Sequence, residues 1–181
     1  MTLITAVLGC TLSIGSANAQ EEPAEDFLAQ FNKQLQKTRS VLGKHRGLVM
    51  APIAGEDTKE IEFTPVRPGE EVNIRVGFDF DSDVLRDDQL GKLAPLCDAM
   101  TTLEDVQFRI IGHTDASGEG GYNDTLSLRR ALAVRTHLSS NCGIAGERLQ
   151  AVGVGERYLV ADAAPDAADH RRVEFQAWDG E

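Results

Sequence analysis

The order of apolar patterns along the chain predicts an α+β fold, built β-α-β-α-β-loop-β, with two helices covering one face of a small sheet. Three observations carry this. Val72, Ile74, Val76 and Phe78 alternate with polar residues, as do Val106, Phe108 and Ile110, and that period belongs to half-buried strands. Leu90, Leu93, Leu96, Cys97 and Met100 recur at helical spacing, and a second helical run follows from Asn123 to Leu138. Between a strand and that second helix lies the glycine-rich loop Gly112-His113-Thr114-Asp115-Ala116-Ser117-Gly118.

The first helix should run from about Arg86 to Met100, kinked or split at Pro95, which removes a backbone donor. Asn123 or Asp124 is the expected N-cap of the second, and Asn141 to Gly143 its stop. Leu149, Ala151 and Val152 form a third strand, and Val173, Phe175 and Ala177 a fourth, after a loop rich in Ala and Asp. Upstream, Phe27, Leu28, Phe31, Leu35 and Leu42 recur at helical spacing. They predict an amphipathic helix from about Ala24 to Leu42 that covers its own domain or docks on a partner. The stretch from Gly47 to Pro68 reads as an irregular linker with room for one strand.

The extreme N-terminus reads as an export signal. Met1 to Ser16 is apolar and uncharged, and Ala17-Asn18-Ala19 fits a small-x-small cleavage site, although the positive segment that usually precedes such a run is missing. Val7-Leu8-Gly9-Cys10 weakly resembles a lipoprotein box, which would put a lipid on Cys10 instead. The expected organisation is a signal peptide over 1–19, an N-terminal extension with one helix and a linker over 20–70, and the α+β domain over 71–181. Cleavage would leave Cys97 and Cys142. In an oxidising compartment the two favour a disulfide over two buried thiols. It would close a loop of roughly 45 residues, worth about 4 kcal/mol in the chain-entropy account.

The 181 residues carry a net charge of −11. Nucleic acid is therefore a poor partner, because phosphate binding needs clustered Lys and Arg. The functional signal lies in the glycine-rich loop and the helix after it, which display the carboxylate of Asp115 and the guanidinium of Arg130. The two could pair with each other. They could also hold a small zwitterion, Asp115 accepting from its ammonium and Arg130 clamping its carboxylate. Neither a cofactor nor a metal is expected. His113 and Asp115 alternate as two ligands would, but a zinc site needs three or four, so His113 reads as packing beneath the loop. Ser117 near His113 and Asp115 has no triad geometry behind it. No G-x-G-x-x-G opens the helix. Arg171-Arg172 reads as a solvated strand end.

Five blocks in order resemble the OmpA-like domain family of OmpA, Pal and MotB. They are Phe78-Asp79-Phe80-Asp81-Ser82 through Leu85; Gly112 to Gly118; Tyr122-Asn123 with Leu126-Ser127 and Arg129-Arg130-Ala131; Gly153-Val154-Gly155-Glu156; and Arg171-Arg172-Val173-Glu174. The resemblance spans Val72 to Trp178. It implies an OmpA-like β-α-β-α-β-β sandwich, with two main helices packed on one face of a small mixed sheet. It further implies no enzyme activity but non-covalent binding of peptidoglycan through the diaminopimelate of its stem peptide, in the periplasm or at the outer membrane. Asp115 and Arg130 match the family's recognition pair, Asp81 and Ser82 its loop after the first strand, and Thr114 and Asn123 further polar contacts. His170 stands where the family usually has Asn, which would make the site pH-sensitive if its ring faced the ligand. The alternative is an envelope interaction module whose N-terminal helix recruits an outer-membrane or periplasmic protein.

Overall fold

The computed structural model of the chain describes residues 23–42 and 75–178. The signal segment, Cys10, the linker over 47–68, and Val72 and Ile74 of the first expected strand lie outside the described residues. Three helices, α1 (Ala24–Leu42), α2 (Asp87–Thr102) and α3 (Gly120–Cys142), combine with strands β1 (Gln107–Gly112), β2 (Leu149–Gly153) and β3 (Val173–Trp178). The sheet order is β2-β1-β3. β1 runs parallel to β2, with Phe108 opposite Leu149, and antiparallel to β3, with Gln107 opposite Trp178. The expected α+β class, with helices on a small mixed sheet, is the one observed.

Alternation sets the sheet's two faces. Phe108, Ile110, Leu149, Val173, Phe175 and Ala177 join the main core with Leu93, Leu96, Met100, Val134 and Leu138. Ile111, Val152 and Val154 form a smaller cluster with Tyr158. α3 lies against β1 and β2 at unusually short range. A Cβ on Gly112 would fall 1.9 Å from the Ser127 carbonyl oxygen, and one on Gly153 2.5 Å from the Leu128 nitrogen. These strand-end glycines admit helix backbone rather than a ligand.

α1 packs on α2 and β3. Phe27, Phe31 and Leu35, four residues apart, point into the main core. The Phe31 ring meets Phe108 edge-on at 5.0 Å, and Gln34 Oε1 accepts the Ala177 N–H at 2.8 Å. Phe27, Phe31 and Leu35 of the α1 stripe are thus buried against its own domain, with Leu28 partly buried beside them.

Three local expectations need correction. Residues 75–79 form no strand; Val76 and Phe78 are buried while their neighbours are not, so the alternation marks an extended segment lying on the core without a ladder partner. Helix α2 is not split at Pro95. Pro95 has no N–H to offer the carbonyl of Gly91, four residues earlier, and the nearby Leu93, Leu96, Ala99 and Met100 are fully buried, so packing holds the helix through one missing hydrogen bond. Helix α3 begins at Gly120, capped by extended Glu119 rather than by Asn123 or Asp124, and ends on left-handed Gly143. Cys97 on α2 and Cys142 at the end of α3 are joined, with Cα atoms 5.5 Å apart.

Candidate binding cleft

Three segments converge at the C-terminal end of β1. The turn after Phe78, the loop from Thr114 to Gly118, and the first turns of α3 enclose a cleft of about 370 Å³ together with Arg171. Of the six residues expected to form the site, Asp81, Thr114, Asp115, Asn123 and Arg130 line it. Ser82 stands behind it. Its carbonyl accepts from Arg130 and its hydroxyl accepts from the Val84 N–H at 3.1 Å.

Asp115 and Arg130 do not pair with each other. Asp115, 4% exposed, accepts the Ser117 N–H at 3.1 Å and Arg171 Nη1 at 2.8 Å. The reading of Arg171-Arg172 as a solvated strand end is therefore overturned. At the start of a strand the two side chains leave on opposite sides. Arg171 goes to the cleft, and Arg172 goes beneath the sheet, where it pairs with Glu174 at 2.6 Å.

Arg130 is fully buried. It donates to the carbonyls of Ser82 at 2.8 Å, His113 at 3.1 Å and Asp79 at 3.2 Å, and its guanidinium lies 5.2 Å from the Phe78 ring centre. It thus stitches the first loop to the central loop and leaves a positive charge in the cleft wall. Burial, with the positive charge of Arg171, lowers its pKa to about 10, so it stays charged at neutral pH. Three carbonyls divide its donors, so it is not an open two-pronged clamp.

Asn123 Nδ2 donates to Glu156 at 2.6 Å and to the Ser117 carbonyl at 3.1 Å, tying the central loop to α3 and to the segment after β2. Asp81 sits at φ +53° and accepts the Tyr122 hydroxyl. Thr114 is 2% exposed, and its buried hydroxyl has no hydrogen-bond partner among the described residues. A buried hydroxyl without a partner is costly, and this one belongs to a residue that lines the cleft.

Neither doubtful histidine faces the cleft. His170 is fully buried, its Nδ1 accepting the Val160 N–H at 3.0 Å and its Nε2 lying 2.7 Å from the Ala164 carbonyl. It anchors the loop before β3 and does not replace the ligand contact expected of an Asn. His113 turns away from Asp115 to within 3.4 Å of Glu174. Burial pushes its pKa down, against the pull of that carboxylate.

The sequence profile of the OmpA family matches residues 77–172, more than half of the chain. This chain belongs to the OmpA family. The five blocks read from the sequence fall in or beside that span. As an OmpA-family chain it is 40% identical over 107 residues to outer membrane porin F of Pseudomonas aeruginosa, covering 58% of this chain and 31% of the porin. It is 36% identical over 92 residues to the peptidoglycan-associated lipoprotein of Mesorhizobium japonicum, covering 50% of this chain and 54% of that one. The crystal structure of the peptidoglycan-associated lipoprotein from Burkholderia pseudomallei superposes with a TM-score of 0.53 at 31% identity, covering 57% of this chain and 90% of that one. The matched segment thus spans about a third of the porin and about half of the Mesorhizobium lipoprotein. OmpA-family domains are envelope-associated binding modules rather than catalysts.

Proposed function

We propose that this domain binds peptidoglycan non-covalently, in the periplasm or at the outer membrane, by taking the diaminopimelate of the stem peptide into the cleft. The observation that carries the reading is the pairing of buried Asp115 with Arg171 beside the Arg130 guanidinium. A carboxylate and two guanidiniums on one cleft wall offer partners to an ammonium and a carboxylate on one carbon. The ammonium would share Asp115 with Arg171, and the ligand carboxylate would lie between Arg171 and the positive face of Arg130. The Thr114 hydroxyl supplies a further polar contact. A net charge of −11 argues against general attraction to an anionic polymer, so recognition rests on this local arrangement. The similarity to two peptidoglycan-associated lipoproteins supports peptidoglycan as the polymer bound. One cleft on one small group binds modestly; many copies facing many wall sites would give firm tethering.

The test is co-sedimentation with purified sacculi that contain diaminopimelate. Wild type should pellet. Asp115→Asn should lose at least about tenfold in affinity, the order expected for one charge-assisted hydrogen bond in a desolvated site. A folded wild-type protein that stays in the supernatant would overturn the reading.

A further inference from the structure

Phe80 is 69% exposed, more than any other large apolar side chain of the described residues, and it stands on the cleft wall. The exposure is built in. Arg130 holds the carbonyls of Asp79 and Ser82 on either side of it. Arg171 Nε reaches the Phe78 carbonyl at 3.4 Å. The Ser82 N–H closes the turn onto the Asp79 carbonyl at 3.3 Å, with Asp81 in the left-handed region. In a straight strand Phe78 and Phe80 would share a face. The turn breaks that relation, burying Phe78 to 4% and swinging Phe80 outward at the mouth. Tyr122, 46% exposed, stands there too, its hydroxyl held by Asp81.

A single exposed apolar side chain is ordinary on a protein surface, but a ring held by its backbone on the wall of a cleft gains free energy when a ligand there covers it. The cleft, about 370 Å³, admits an amino acid side chain with its charged groups. A ligand that is part of a peptide must continue outward past the mouth. We propose that Phe80 forms a second subsite, which packs against the residue peptide-bonded to the amino acid held in the cleft. Its occupant is a short peptide with small apolar side chains, such as the alanine beside diaminopimelate in a stem peptide. Tyr122 supplies the facing edge of the subsite. This inference rests on the reading of the cleft given above.

Isothermal titration of the full chain separates the two. Wild type, Phe80→Ala and Phe80→Leu are each titrated with free meso-diaminopimelate and with the tetrapeptide L-Ala-γ-D-Glu-meso-diaminopimelate-D-Ala. Phe80→Ala should weaken the tetrapeptide about fivefold more than it weakens the free amino acid, the scale of one methyl losing an apolar contact. Phe80→Leu should recover part of the loss. Equal weakening of both ligands, or of neither, would overturn the subsite while leaving the cleft intact. Failure of wild type to bind either ligand would overturn both readings. Phe80 has little core to lose, so reduced folding does not confuse the result.

Discussion

The two ends of this domain are buried by different chemistry. Where α1, α2 and the far half of α3 meet, the fully buried side chains are apolar, with Phe31, Leu93, Leu96, Met100, Phe108 and Leu138 all below 2% exposure. At the loop end of the same sheet the buried groups are Arg130, Asp115, Thr114, Asn123 and His113. The first end is held by a non-directional force proportional to area. The second is held by hydrogen bonds whose partners must be in place one by one. Damage to the apolar end should therefore cost stability and leave ligand geometry alone, whereas damage to the loop end should cost binding out of proportion to stability.

The largest expected effect lies at the apolar end. Phe31→Ala should destabilise the fold by about 3–5 kcal/mol, seen as a lower urea midpoint. Whatever fraction remains folded should bind sacculi with wild-type affinity. A loss of affinity in the folded fraction would show that the two ends are coupled. Next comes the covalent link at that end. Cys97→Ser with Cys142→Ser should cost about 2–4 kcal/mol, again without changing affinity, and reduction of wild type should reproduce that change in the urea midpoint.

The loop end reverses the ratio. Arg130→Lys keeps the charge, but one ammonium cannot serve the carbonyls of Ser82, His113 and Asp79 together. Leaving buried carbonyls unpaired should cost about 2 kcal/mol, less than Phe31→Ala, yet binding to sacculi should fall by at least about tenfold as the first loop loosens from the central loop. Unchanged affinity in a folded Arg130→Lys protein would remove Arg130 from the site.

The same contrast explains what could be read in the sequence. Apolar periodicity reports which side of an element is buried, so α1 and the strands from Gln107, Leu149 and Val173 were legible, and so was the buried side of residues 75–79. It does not report which backbone a segment pairs with, so the described part of the expected first strand, residues 75–79, proved to be unladdered chain. The start of α3 was hidden because Gly120-Gly121 looks like a helix breaker and Asn123 like a cap. Five of the six expected site residues lie on the cleft through their match to a family pattern. The pairing of Asp115 was not legible, because its partner Arg171 is 56 residues away and a doublet of arginines looks solvated. The one available signal was that adjacent residues at a strand start face opposite ways, so one of the two had to turn toward the loop.

The smallest effect concerns pH, and it lies beneath the loop end rather than in the cleft. His113 is 1% exposed, and burial holds its pKa below the ordinary 6.5 despite Glu174. Burial raises the pKa of Glu174, but His113 and Arg172 outweigh it, and the carboxyl sits below its ordinary 4.5. At both groups the folded state binds fewer protons than the unfolded chain, so stability falls as pH falls. The His113 contribution is complete above pH 6.5 and is lost as pH drops from there toward its folded value. The Glu174 contribution is complete above pH 4.5 and is lost below it. His113→Gln removes the upper part and weakens the hold on Glu174, so the variant's stability should stay level from neutral pH down to about 4.5, where wild type already declines. Urea unfolding at half-unit steps between pH 4 and 7.5 reads this directly. Parallel curves for the two proteins between pH 5 and 6.5 would mean that the ring does not titrate against the fold, and that the loop end owes its pH response to other groups.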